Sequence, residues 1–190
     1  MNIEQIQQRI QQAQQLHITA NNQAKQTETE CLDMSLYAGI IDYHPEELVM
    51  TVKAGTTLCD IENILADKGQ TITFVSHRSD KITIGELYAI GSPEIRDAVL
   101  GIKIIDGQGQ ILSFGGQVMK NVAGYDVARL LVGSKGKLAA ICEISFRVLP
   151  DAYAIAPSAS ITENKSQPSA IRERIELGLK HVFDPKGIFI

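Results

Sequence analysis

The feature of the sequence that most limits the possible folds of this chain is a glycine-rich turn between two β-rich runs. Val99–Ile105 and Gln110–Phe114 flank the turn Asp106-Gly107-Gln108-Gly109, and strands joined by so short a turn pair antiparallel. A third run, Leu138–Leu149, has the length of one extended strand and ends at Pro150, which cannot donate to a sheet ladder. The segment 76–150 is therefore predicted to form an α+β lobe with an antiparallel sheet.

The first 75 residues alternate between helix and strand, which predicts a small α/β lobe. Isoleucines at helical spacing predict a helix over 3–16, although the many glutamines there are also typical of a low-complexity segment. A second helix is predicted over Thr57–Lys68, with Thr57 as its N-cap and Gly69 just beyond its end. The predicted strands are Leu16–Thr19, Gly39–Tyr43, Leu48–Lys53 and Gln70–Val75.

Three further helices complete the predicted elements. One covers Thr83–Ile90 and is broken by Gly91-Ser92-Pro93, and one covers Tyr125–Val132 and is closed by Gly133. After Pro150, a last strand over 152–161 and a polar linker over 162–168 precede an amphipathic helix over 169–182. The apolar face of this helix is predicted to contain Ile171, Ile175, Leu179 and Val182. The predicted units are thus a first lobe, 1–75, a second lobe, 76–150, and a segment 151–190 whose helix packs back on the fold.

Composition excludes several classes of function. The 190 residues are 44% hydrophobic and carry a net charge of −4, so a core can form, but no basic excess exists to neutralise nucleic-acid phosphates. No apolar run reaches the roughly 18 residues of a transmembrane helix, and the N-terminus lacks the apolar region of a secretory signal. Cys31, Cys59 and Cys142 suit neither a disulfide framework nor a metal site. A cytoplasmic protein without a metal is expected.

Two segments carry a resemblance to a known family. Residues 39–70 (GIIDYHPEELVMTVKAGTTLCDIENILADKGQ) and 97–150, above all GGQVMKNVAGYD followed by RLLVGS, resemble the FAD-binding subunit of bacterial glycolate oxidase. That subunit belongs to the vanillyl-alcohol-oxidase superfamily with its PCMH-type FAD domain, and FDPKGIF near the end is similar to the close of the same family. The resemblance implies a two-lobed α+β fold with FAD between the lobes. Only about twenty residues separate Pro150 from the last helix, so the family's cap domain is expected to be missing.

The resemblance also implies which residues contact FAD. They come from three segments that match the family's cofactor motifs: Ala20, Asn21, Asn22 and Gln23; then Thr83, Ile84 and Gly85; and then Gly133, Gly136, Ala140 and Ile141. Residues 20–25 contain no histidine for a covalent flavin link, so FAD is expected to be non-covalent. Relatives of this kind imply oxidation of a 2-hydroxy acid, in a complex with a second flavin subunit and an iron–sulfur subunit.

Departures from the family pattern leave a second interpretation open. The stretch 19–24 contains no glycine, and Glu86 stands where the family has glycine, which adds a charge that repels phosphate. The alternative is a degenerate paralogue that has lost the cofactor and acts as an interaction or structural module. No catalytic base is assigned, since the histidines share no motif: His17, His44, His77 and His181. Lys120-Asn121 and Tyr125-Asp126 match the family closely, and a structural role is favoured for them, with Asn121 and Asp126 fixing a turn and Tyr125 packed. A flavin contact of Lys120 or Asn121 is the alternative.

Overall fold

A computed structural model describes residues 1–20, 29–74, 81–117, 126–153 and 170–190. The helices in these ranges are α1 (Ile3–Gln12), α2 (Leu58–Ala66), α3 (Ile84–Ile90), α4 (Pro93–Ala98), α5 (Val127–Leu130) and α6 (Ala170–Phe183). The strands in the same ranges are β1 (His17–Thr19), β2 (Cys31–Asp33), β3 (Ile40–His44), β4 (Val49–Lys53), β5 (Gln70–Ile72), β6 (Val99–Ile105), β7 (Ile111–Gly115) and β8 (Ala140–Pro150). Short 3₁₀ turns cover Met34–Leu36, Pro45–Glu47 and Asp151–Tyr153.

Two sheets organise the described residues. The larger has the order β3-β4-β8-β6-β7, with β5 paired to the far end of β8, and all its pairs are antiparallel. The predicted hairpin is confirmed, since β6 and β7 pair from Gly101↔Gly115 to Ile105↔Ile111. The smaller sheet is the parallel pair β1-β2, and Phe189 bridges to Leu16 beside it. The predicted α+β class, with a small sheet and a larger antiparallel one, is confirmed.

The residues of β8 contribute to two hydrophobic cores. Ile144, Phe146 and Val148 are fully buried in the main core, together with apolar residues of α2, α3, α4 and α5. Ala140 and Cys142 belong to a second core with residues of α1, β2 and the segment 188–189. Because one strand supplies both cores, the small sheet is held against the start of β8.

Helix α4 was not predicted from the sequence. The pattern break at Gly91-Ser92-Pro93 does end α3, and Gly91 has a φ of +80°. The same residues also begin a new helix, because the Ser92 side chain accepts from the Ile95 N–H and Pro93 occupies the first turn. Proline suits that position, where its missing N–H has no helical acceptor.

Three of the four residues predicted for the apolar face of α6 are not covered by the rest of the fold. Ile171, Ile175 and Val182 are 74%, 55% and 65% exposed. The helix contacts the main core through Leu179 and Phe183 instead, and the Phe183 ring meets Phe114 edge to face at 6.4 Å. The contact is confined to the last turns of the helix, so its earlier turns leave their apolar side chains in solvent.

Other sequence-based boundaries hold to a few residues or lie outside the described ranges. Helix α1 ends at Gln12 rather than at residue 16, and Asp151–Tyr153 is a 3₁₀ turn where a last strand was predicted to begin. The rest of that predicted strand and the linker lie outside the described residues, as do 21–28, 75–80 and 118–125. The lobe boundary at 75 stays a prediction, and strands from both sides of it share the larger sheet. No described helix has the length and apolar character needed to cross a membrane.

Truncation of a buried side chain of β8 should lower the free energy of unfolding much more than truncation of an exposed one on β7. Ile144→Ala removes a side chain that is 0% exposed, and should lower the free energy of unfolding by about 2–5 kcal/mol because a cavity replaces packed atoms. Ile111→Ala, at a residue 41% exposed on β7, should change it by less than about 0.5 kcal/mol. Urea unfolding measures both, and equal losses would contradict the assigned core.

Candidate functional site

A cleft of about 350 Å³ lies where the two sheets meet. Its walls come from the end of β1, the Met34 turn, the end of β4, helix α3, the loop 133–139 and the start of β8. Five of the predicted cofactor residues line it: Ala20, Thr83, Gly85, Gly136 and Ile141. Ile84, Gly133 and Ala140 lie in the same elements without lining the cleft, and Asn21, Asn22 and Gln23 lie outside the described residues. Segments far apart in sequence therefore meet at one place.

The start of α3 is packed tightly against the end of β4. The Gly85 N–H donates to the Ala54 carbonyl at 2.8 Å, and the Ile84 N–H donates to the Thr56 carbonyl at 2.9 Å. A Cβ added to Gly85 would lie 2.8 Å from the Ala54 Cβ, so the position requires glycine. The Thr83 hydroxyl caps the helix by accepting from the Glu86 N–H at 3.1 Å. The first-turn amides of α3 are thus satisfied by the protein itself.

The loop 133–139 forms another part of the wall and is bonded to α3. The Gly133 N–H donates to the Tyr88 carbonyl at 3.0 Å, and the Lys135 N–H donates to the Ala89 carbonyl at 2.9 Å. Gly133 and Gly136 have φ values of +86° and +73°, a region that favours glycine. Among the described residues, no protein group accepts from the Gly136 N–H. With those of Leu138 and Ala139, it is one of the loop amides that have no protein acceptor among the described residues.

Among the described residues that line the cleft, the charged side chains are one carboxylate and one ammonium group. Glu86 and Lys135 both line it, while most of the remaining lining is apolar, with Ile18, Met34 and Ile141 among the larger side chains. Apolar walls suit a flat ring system. A diphosphate needs convergent main-chain donors, and here the amides of Ile84 and Gly85 are already used. Within the described residues, the fit to FAD is good for a ring and confined to the Gly136 side for phosphate.

No histidine is among the described residues that line the cleft. His44 Nε2 lies 2.9 Å from Asp42 Oδ2, at the end of β3 far from the cleft, and this carboxylate raises the pKa of His44. His17 Nδ1 lies 3.2 Å from the Ile190 carbonyl, and His181 is exposed on α6. His77 lies outside the described residues. The titratable carboxyl group at the cleft is that of Glu86.

Two buried groups beneath the cleft are held neutral. Burial, with a smaller contribution from Glu143, raises the pKa of the Cys142 thiol to about 12. Burial also raises the pKa of Tyr88, with Asp126 adding to the effect, and its hydroxyl donates to the Ala128 carbonyl. Both side chains are neutral at physiological pH, so neither supplies a nucleophile or a base.

Sequence reasoning missed Met34 and Ala54, which line the cleft. A signal was present in the Ala54-Gly55 pair that follows β4. A Cβ on Gly55 would lie 2.2 Å from the Met34 carbonyl oxygen, so this glycine lets the Met34 turn approach the end of β4. A glycine after a strand indicates such a close approach, but it does not identify the segment that approaches.

Substitution of Gly136 tests the loop geometry. Gly136→Ala places a Cβ at a φ of +73° and 3.3 Å from the Ile18 Cβ, and should cost about 1–2 kcal/mol of unfolding free energy. Gly116→Ala is the matched control, because its added Cβ meets nothing within 4 Å. Thermal unfolding compares the two variants, and equal melting temperatures would contradict the described loop.

Comparison with known proteins gives relatives of one kind. No protein-family model matches the chain. It is 45% identical over 130 residues to glycolate oxidase subunit GlcE of Escherichia coli (strain K12), a match that covers 64% of this chain and 37% of that protein. It is 27% identical over 154 residues to glycolate oxidase subunit GlcD of Bacillus subtilis (strain 168), covering 76% of this chain and 30% of that one. The chain thus spans about a third of the length of these relatives.

A solved structure shares the fold. The chain superposes on an alkyldihydroxyacetonephosphate synthase with a TM-score of 0.63, at 17% sequence identity, over 77% of this chain and 30% of that one. At this identity the likeness concerns the fold alone.

Proposed function

We propose that this chain, a partial-length relative of the FAD-linked oxidoreductases that include the glycolate oxidase subunits, binds FAD non-covalently in the cleft. One observation carries the proposal. Three segments that the family uses for its cofactor, represented by Ala20, Gly85 and Gly136, converge on a single cleft.

Different parts of the cleft suit different parts of the ligand. Ile18, Met34 and Ile141 offer apolar contact to a ring, and the Gly136 N–H, which has no acceptor among the described residues, can donate to a phosphate oxygen. Lys135 adds a positive charge on the same side, whereas Glu86 on α3 repels phosphate. The diphosphate therefore belongs beside the loop 133–139 and away from the start of α3. When bound, FAD would supply the two-electron acceptor for oxidation of a 2-hydroxy acid.

The proposal extends to partners and location. The chain is similar to two glycolate oxidase subunits, GlcE and GlcD. We place it in a glycolate-oxidase-like complex, beside a second flavin subunit and an iron–sulfur subunit. A cytoplasmic location fits the three free thiols of Cys31, Cys59 and Cys142.

A second function is favoured by the hydrogen bonds at α3. The Ile84 and Gly85 amides donate to protein carbonyls, and Glu86 brings a negative charge to the cleft. Both features weaken a diphosphate site. They support an interaction or structural module that has lost the cofactor but keeps the fold of its relatives.

Charge substitutions at the cleft separate these two functions. Glu86→Gln should bind FAD about fivefold more tightly than the original chain, since removing a like charge near a phosphate is worth about 1 kcal/mol. Lys135→Met should weaken binding by a similar factor. Glu62→Gln, on the exposed side of α2, changes the net charge by the same amount as Glu86→Gln and should leave the affinity for FAD unchanged. Quenching of FAD fluorescence on titration measures the affinity for FAD of the original chain and the three variants.

The outcomes assign the function. Saturable binding with opposite effects at Glu86 and Lys135 supports the FAD proposal. Absence of binding to all four proteins, with recovery of a glycolate-oxidase-type complex on affinity purification, supports the cofactor-free module instead.

A further inference from the structure

The ammonium group of Lys180, near the end of α6, bonds to two other parts of the chain, the loop 133–139 and the turn 184–189. Its Nζ donates to Asp184 Oδ2 at 2.6 Å and to the Lys137 carbonyl at 2.7 Å. It also donates to the Phe189 carbonyl. An ammonium group has three N–H donors, so every one of them has an acceptor. The side chain is 30% exposed, which leaves it within reach of solvent but largely enclosed.

Asp184 fixes one of these segments, the turn after α6. Its carboxylate is fully buried and accepts from the Ile188 N–H at 2.9 Å and the Phe189 N–H at 2.8 Å. Gly107 packs against it so closely that an added Cβ would lie 2.1 Å from Asp184 Oδ1. Charge-assisted bonds of this kind are stronger than neutral ones. The turn 184–189 therefore has a defined position relative to the β6–β7 hairpin.

The turn 184–189 also holds the residue that precedes β1. The Leu16 N–H donates to the Ile188 carbonyl at 2.8 Å, and the Ile190 N–H donates to the Leu16 carbonyl at 3.3 Å. Ile18 and Thr19, which follow on the same strand, line the cleft. One wall of the cleft is thus anchored through the turn to Lys180.

The other wall is anchored to Lys180 directly. Lys137, whose carbonyl accepts from Nζ, lies in the loop that carries Lys135 and Gly136 to the cleft. This loop also approaches β1 closely, since a Cβ on Gly136 would lie 3.3 Å from the Ile18 Cβ. Lys180 therefore bonds to one wall directly and to the other through the turn 184–189.

We propose that Lys180 is a positioning residue for the cleft, which sets the affinity for a bound ligand by fixing the spacing of β1 and the loop 133–139. The residue itself does not line the cleft, so it acts through the two walls. Small misplacements of binding groups cost large factors in affinity or rate. The identity of the ligand, FAD, rests on the proposed function, whereas the coupling of the two walls does not.

The test uses three variants of the full chain. Lys180→Met keeps the aliphatic length and removes the donors, and Lys180→Arg keeps a charged donor beside Asp184. Lys186→Met is the matched control, because Lys186 is exposed in the same turn. Measurements are made below the melting temperature of each variant, and the exchange of α2 amides reports any difference in global stability.

Hydrogen exchange without ligand tests the coupling. Lys180→Met should speed amide exchange in 16–20 and in 133–139 about tenfold, while α2 keeps its protection, because only the local opening changes. Lys180→Arg should restore part of the protection, and Lys186→Met should match the original chain. Unchanged exchange in both walls would overturn the proposal.

FAD titration of the same proteins tests the effect on affinity. Lys180→Met should bind about tenfold more weakly, with partial recovery in Lys180→Arg, since a misplaced wall loses its contacts. Equal affinity of Lys180→Met and the original chain would overturn the positioning role. If the original chain itself binds no FAD, the proposed function fails, and the exchange result alone supports or overturns the coupling.

Discussion

The antiparallel pairing of β8 is the interaction on which the rest of the structure depends. This strand, Ala140–Pro150, pairs with β4 on one side and β6 on the other, and its far end pairs with β5. A strand with partners on both edges satisfies its backbone groups without water. Its side chains then supply the main core and, at its start, the core beneath the small sheet. The cleft opens at this start, so the same pairing that stabilises the sheet also places the candidate site.

Hydrogen bonds inside the fold compete with hydrogen bonds to a ligand. The amides of Ile84, Gly85, Gly133 and Lys135 all donate to protein carbonyls, which stabilises the contact between α3 and its neighbours. The same bonds leave fewer donors for a diphosphate, and the amides without a protein acceptor among the described residues of these two segments, Gly136 among them, lie in the loop 133–139. The donors available to a ligand are thus on the side of this loop and not at the start of α3. This asymmetry is why the charges of Glu86 and Lys135 carry so much weight in the proposed function.

Local patterns in the sequence predicted most of the strands and the β6–β7 pair, but not the other strand pairings. The β6–β7 hairpin and the Thr57 cap of α2 follow from turn and capping chemistry within a few residues. The exposed face of α6 could not be predicted, because periodicity shows which side chains share a face and not whether another element covers it. The same limit applies to the cleft. The sequence identified Gly85 and Gly136, whereas the acceptors of the α3 amides and the role of Lys180 depend on segments distant in the chain.

The crystal structure of the chain grown with saturating FAD tests the central claim most directly. We predict that the flavin nucleotide lies in the cleft, with a phosphate oxygen within hydrogen-bonding distance of the Gly136 N–H. The Ile84 and Gly85 amides should still donate to Thr56 and Ala54. A cleft without FAD under these conditions, or a diphosphate bound at the start of α3 instead, would contradict the account.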